Sequence, residues 1–350
     1  MVTRHHRQEI LPGFGAGAQG HLRLSHALVV GCGALGCAAI DLLARAGVGT
    51  LTLVDRDVVE LTNLQRQSLY VESDVREGVP KAEAAKRRVR AIDSSLRVHA
   101  CVEHLGAGNA EDLVGDCDVV VDGLDNYATR YLLNDAAVKL GKPFVHAGAV
   151  AFRGTSMPVL AGAAGALGVA REDAPCLRCV FPDAPPAGEG ETCDTAGVFG
   201  PVVAMTGAHA AAQAIALLAG RTELVDRSLW SVDLAANRTV RMPLAGAARA
   251  DCPCCGARRF EFLEAPGERC TVLCGRNAVQ VRPAVAATVD LARMRERLSV
   301  LGEFAMRDGL LVGNVDAATE LTLFADGRAI VRGTVDPVAA QAVYDRCVGS

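Results

Sequence analysis

Between Val54 and Gln67 the chain reads VDRDVVELTNLQRQ, and its polar residues are bunched. Asp55 and Asp57 close an apolar run, Asn63 and Arg66 follow within a few positions, and Lys81 comes directly after Pro80 at a helix start. Arginine and lysine converging on one place suit a phosphate chain, because reaction at phosphorus spreads negative charge over several oxygens. An acid at a strand end suits ribose hydroxyls, and Asp55 stands there. Asp125, in CDVVVDGLDN, is placed to hold Mg2+ against phosphates. Asp122 reads equally as such a ligand or as the cap of a turn. Lys86, Arg87, Arg88 and Arg90 read as a solvated helix face.

A second chemistry belongs to cysteine. CLRC supplies Cys176 and Cys179, and CPCCG supplies Cys252 and Cys255 with Cys254 to spare. Two pairs at two-residue spacing make a tetrahedral thiolate site for structural Zn2+, and their wide separation in sequence makes it a clamp between segments. Cys193 lies in a loop over 181–200 rich in proline, glycine and acids, ahead of an apolar helix. A helix N-terminus there would favour its thiolate. Cys32, Cys37, Cys101 and Cys117 sit in apolar runs and read as core fillers, Cys270 and Cys274 as structural. His5, His6 and His26 read as surface or packing residues.

These residues need a scaffold. ALVVG is a short apolar run of the kind buried on both faces of a parallel sheet. GCGALG follows with Gly31 for a tight turn, Gly33 for backbone approach to a phosphate and Gly36 for close strand–helix packing. The sequence predicts a helix ending at Gly47, a second strand TLTLVD, a strand before Asp122, a helix, and a strand PFVHAG. The expected fold is α/β: a doubly wound, Rossmann-like sheet. Such a turn commonly takes NAD, but an NAD-dependent oxidoreductase leaves Asn63, Arg66, Lys81 and the cysteine pairs without a task.

The 350 residues, half of them hydrophobic, carry a net charge of -4, which suggests about two domains with a large core and gives no support for a nucleic-acid partner. Thirteen cysteines in a long chain whose N-terminus shows no apolar signal core indicate a reducing cytoplasm. The apolar stretch 200–220 carries His209 and Gln213 and reads as a buried helix, with no membrane partner.

In family order, RHHRQ, GCGALG, VDRDVVELTNLQRQ, PKAEAAK, DGLDN, CLRC, CDTAGVFGP and CPCCG resemble the ThiF/MoeB family, bacterial relatives of ubiquitin-activating enzymes, over about residues 4–256. The resemblance implies a ThiF/MoeB-type adenylation domain over 1–256 and an enzyme that uses ATP and Mg2+ to adenylate the C-terminal glycine of a ubiquitin-like sulfur carrier. It further implies Asp55 on ribose, Asn63, Arg66 and Lys81 on the triphosphate, Asp125 on Mg2+, and Arg7 reaching phosphates from the partner subunit of a homodimer. Cys193 would take part in sulfur transfer or a covalent link with the carrier, with a cysteine desulfurase as a possible sulfur donor. A carboxylate nucleophile is already ionised at pH 7, so no Ser–His pair is needed.

Residues 257–350 read as a small α+β module: one strand in RCTVLCGRNAVQVRP, an amphipathic helix in TVDLARMRERLSVLG, strands in EFAMRDGLLVGNV and ELTLFADGRAIVRG, the last turning at Asp326-Gly327, and a helix capped by Asp336. LCGRNAVQ and LFADGRAIVRGT resemble the C-terminal extension of ThiF-type thiazole-biosynthesis adenylyltransferases, which implies a ThiS-like carrier and thiamine thiazole formation. The same activation of a molybdopterin-synthase carrier, or a scaffold that only binds ubiquitin-like proteins, are the competing expectations.

Overall fold

The computed structural model describes residues 3–183, 193–264, 270–273, 277–283, 288–307 and 310–349; Cys274 and the middle of the loop over 181–200 lie outside them. The chain forms two compact units, one of residues 1–124, 129–182 and 199–264, the other of 125–128, 183–198 and 265–350.

The first unit is built on β1 (His26–Val30), β2 (Thr50–Val54), β3 (Arg97–Cys101), β4 (Val119–Asp122), β5 (Phe144–Val150), β6 (Arg153–Val159), β7 (Ser228–Asp233) and β8 (Arg238–Pro243). They lie side by side in the order β3-β2-β1-β4-β5-β6-β7-β8. The first five are parallel and the last three antiparallel. β1, β2 and β4 are apolar nearly throughout and almost wholly buried, as strands covered on both faces must be. The α/β reading holds.

The helix Ala34–Ala46 ends at Gly47, which is left-handed at φ +83° and takes the turn that a side chain would strain. The apolar helix Gly200–Leu218 is long enough to cross a membrane but buries most of its surface in the core. At Gly207 it lies against the Ala34–Ala46 helix so closely that a Cβ would stand 2.6 Å from the Ala38 Cβ.

In the second unit β9 (Cys270–Leu273), β10 (Ala278–Val281), β11 (Phe304–Arg307), β12 (Leu310–Asn314), β13 (Glu320–Leu323) and β14 (Ala329–Arg332) form an antiparallel sheet in the order β11-β12-β13-β14-β10-β9. Two segments expected as single strands are each pairs, β9 with β10 and β11 with β12. Their centres, CGRN and RDGL, carry turn residues that interrupt the alternation. The helices Leu291–Leu298 and Pro337–Cys347 begin at Asp290 and Asp336, whose carboxylates accept helix N–H groups. Leu291, Met294, Leu298 and Tyr344 join Val279, Leu321 and Val331 in one core.

Candidate functional site

The order of strands reverses between β1 and β4, and ligands of open α/β sheets bind at the carboxyl ends flanking such a point. Gly31 follows β1 with φ +88°, and Gly123 follows β4. The two meet backbone to backbone: a Cβ on Gly31 would stand 2.5 Å from the Gly123 carbonyl, and one on Gly36 would overlap the Gly31 carbonyl. Gly33, at the start of the Ala34–Ala46 helix, has no neighbour nearer than 3.8 Å to such a Cβ, so its face stays open at a helix N-terminus suited to anions.

Asp55 stands just past β2. Its carboxylate accepts the N–H of Cys32 in the glycine turn and the N–H of Asp57, both at 2.8 Å. Burial raises its pKa, and the Lys81 ammonium opposes that rise. The Tyr70 hydroxyl bonds to the carbonyls of Cys32 at 2.6 Å and Lys81 at 3.2 Å, and so ties the glycine turn to the start of the Lys81–Ile92 helix. Tyr70 carries no sequence signal, because both its partners are backbone carbonyls of residues distant in sequence.

Lys81 is buried, with Nζ 3.0 Å from Asp57 Oδ2 and its backbone N–H bonded to the Asp57 carbonyl. Asn63 is buried in a short turn over Leu61–Asn63, where its Oδ1 accepts the Glu60 N–H. Arg66 is half-buried and donates to the Thr62 carbonyl at 2.8 Å. The long connection from Arg66 to Lys81 contains a helix, Glu72–Glu77, stopped by left-handed Gly78, which returns the chain to Lys81. Asp55, Asp57, Lys81 and the glycine turn are thereby joined through direct hydrogen bonds or through Tyr70.

The four cysteines Cys176, Cys179, Cys252 and Cys255 come together with every Sγ within 4.8 Å of the others. Cys176 and Cys252 lie 3.5 Å apart, and Cys179 and Cys255 lie 3.4 Å apart. Thiolates around Zn2+ at about 2.3 Å would stand roughly 3.8 Å from one another, so this set fits the ion. Cys254 stays outside the four and accepts a hydrogen bond from Asn134 Nδ2 at 3.3 Å. Asn134, fully buried, also takes the Leu177 N–H on its Oδ1 and so braces both cysteine segments, a role that no local spacing signals.

The ThiF family model matches residues 5–254. The chain belongs to the ThiF family. It is 38% identical over 350 residues, all of both chains, to the sulfur carrier protein ThiS adenylyltransferase of Bacillus subtilis. It is 42% identical over 223 residues, 63% of this chain and 78% of the relative, to a sulfur carrier protein adenylyltransferase of Thermus thermophilus. The crystal structure of E. coli MccB with MccA-N7isoASN shares the fold, with a TM-score of 0.61 and 21% identity over 73% of this chain and 75% of that one.

In this ThiF-family chain Asp122 is a buried anchor. Arg130 Nε donates to it at 2.7 Å, His146 Nδ1 at 2.8 Å and the Leu124 N–H at 2.9 Å. Burial alone would raise its pKa, but Arg130 and His146 outweigh that and hold it low. Arg130 also donates to the Leu124 carbonyl at 2.6 Å, so both backbone groups of the residue before Asp125 are held. Asp125 itself is exposed and is counted with the second unit.

Arg7 is exposed on the short helix His6–Glu9. Neighbouring Gln8 donates to the Ala46 carbonyl, and Arg4 donates to the Ile92 carbonyl. These anchors mark the far ends of the helices that start beside Gly33 and at Lys81, about 20 Å away at 1.5 Å per residue. The chain does not bring its own Arg7 to its own glycine turn. Cys193, half-buried in the second unit, opens the four-residue helix Cys193–Ala196; the long helix starts only at Gly200, so the expected long-helix N-terminus is not at this thiol.

Proposed function

We propose that this enzyme adenylates the C-terminal glycine of a ubiquitin-like, ThiS-like sulfur carrier with ATP, in the formation of the thiamine thiazole. The observation that carries the reading is the linked set of glycine turn, Asp55 and Lys81, which offers a ribose acid and a buried cation beside an open anion-binding helix end. The full-length likeness to a ThiS adenylyltransferase supports the choice of carrier.

The carrier carboxylate attacks the α-phosphorus, the bond to the bridging oxygen breaks, and pyrophosphate leaves with that electron pair; no proton moves. Asp55 orients ribose. Asn63, Arg66 and Lys81 offset the charge of the phosphates, and Lys81 exchanges Asp57 for phosphate oxygens. Asp125 would hold Mg2+, which when bound neutralises the polyphosphate. The cysteine cluster would hold Zn2+ as a structural clamp. Arg7 would serve the site of a second copy in a homodimer, a reading supported by its distance from its own glycine turn. The Cys193 thiolate would attack the carbonyl carbon of the carrier adenylate and form a thioester as AMP leaves, or would take the outer sulfur of a cysteine desulfurase persulfide, whose thiolate is released. A cytoplasmic location, whose reducing conditions keep thiolate clusters intact, suits this chemistry.

ATP–pyrophosphate exchange with ThiS-type and molybdopterin-synthase-type carriers, followed by mass spectrometry of the carrier tail, tests the proposal. A tail that gains an adenylate only in the presence of ATP and Mg2+ supports it; no exchange with either carrier overturns it. Cys193→Ala should retain exchange and impair sulfur delivery.

A further inference from the structure

Arg56, between the two acids of the opening motif, is not used by the reaction described above. It lies just past β2, and its Nη1 approaches His104 Nδ1 at 3.3 Å across to the segment that follows β3. Its Nε lies 3.6 Å from Asp57 Oδ1, and its side chain remains 25% exposed. Since arginine can only donate, His104 Nδ1 accepts and the imidazole is neutral. Burial and the Arg56 charge push the His104 pKa down to about 4, in keeping with that tautomer.

The segment bearing His104 is itself braced. Asn109 Nδ2 donates to the His104 carbonyl and to Glu103 Oε2, each at 3.0 Å, and Asn109 Oδ1 accepts the Gly106 N–H at 2.8 Å. Val102, the first residue beyond β3, presents an apolar side chain that is 48% exposed. A guanidinium held by a neutral imidazole and a carboxylate is a fixed planar cation, and such a plane stacks on aromatic rings.

The order of strands decides what would lie there. With phosphates at the glycine turn after β1 and ribose on Asp55 after β2, the base extends outward over the ends of β2 and β3. We propose that Arg56, fixed by His104 and Asp57, is the platform on which the purine base of the nucleotide stacks, and that the pair sets affinity for the base separately from affinity for the phosphates. This rests on the nucleotide reading given above. The surface Arg56 offers is a face, so it grips a broad purine more firmly than a pyrimidine.

Calorimetric titration of the full chain with ATP, CTP and inorganic tripolyphosphate tests this in wild type, Arg56→Gln, Arg56→Lys, His104→Ala and His104→Asn. Arg56→Gln should weaken ATP about 10-fold, the scale of one stacked base, and leave tripolyphosphate unchanged. CTP should bind more weakly than ATP in wild type and lose less in Arg56→Gln. Arg56→Lys, which keeps the charge without the plane, should also lose affinity for ATP. His104→Ala should weaken ATP less than Arg56→Gln does, and His104→Asn, which restores an acceptor, should recover it; the His104 pair keeps the test readable if Arg56 variants fail to fold. Unchanged ATP affinity in Arg56→Gln and His104→Ala, or a parallel loss for tripolyphosphate, would overturn the platform. Wild-type chain that binds ATP but exchanges pyrophosphate with no carrier would end the adenylation reading and leave the stacking result intact.

Discussion

Lys81 Nζ rests 3.0 Å from the carboxylate of Asp57, and the backbone N–H of the same lysine donates to the Asp57 carbonyl at 2.8 Å. Side chain and main chain of one residue thus hold one partner. Asp55, bonded to Cys32 and to Asp57, sits within the same linked set.

Lys81→Ala should cut ATP–pyrophosphate exchange by about 100-fold or more, the scale of one lost charge-stabilising group. Arg66→Ala and Asp125→Ala should do the same with little change in melting temperature, since Arg66 is half-exposed and Asp125 exposed. Exchange rates beside circular dichroism melts check this, and exchange surviving in both Arg66→Ala and Asp125→Ala would remove their assigned roles.

Asp122→Ala leaves the buried guanidinium of Arg130 without its carboxylate. Uncompensated buried charge costs about 3–5 kcal/mol, so urea denaturation should show a fall of that order. A change under 1 kcal/mol would mean that the Asp122–Arg130–His146 group is not the anchor its burial implies.

Cys176→Ser or Cys255→Ser should lower the melting temperature by roughly 10 °C, as a few kcal/mol would in a chain of this size, and reduce bound zinc measured by plasma mass spectrometry. Pyrophosphate exchange at 20 °C should fall much less. Cys254→Ser, outside the four, should keep its zinc.

Acid should destabilise the fold early. Burial lowers the pKa of His26, His146 and His209, and lowers His104 to about 4. A histidine with a depressed folded pKa takes up its proton more readily when unfolded, so its contribution is complete above about pH 6.5 and is lost as pH falls toward 4. The melting temperature at pH 5 should therefore lie below that at pH 7.5 by about 5 °C or more. A higher value at pH 5 would contradict the sign.

Local spacing made much of this protein legible in its sequence. The strand–turn–helix of Gly31, Gly33 and Gly36, the stop at Gly47, the cap at Asp336 and the two-residue cysteine spacings each depend on backbone geometry within a few residues, which the covalent chain dictates. What needed tertiary structure spans long separations. Cys176 meets Cys252 across 76 residues, and Asn134 braces both segments from a helix with no spacing signal. Asp122 was readable as ligand or cap until Arg130 and His146 closed around it, and Lys81 found Asp57 only because Tyr70 and a bridge between Val58 and Pro80 fold the intervening loop back. Two apparent strands proved to be hairpins, since alternation tells which face a residue takes but not where the chain reverses. Residue types and short spacings set which chemistry was available; packing of distant segments decided which groups meet, because that depends on the whole core at once.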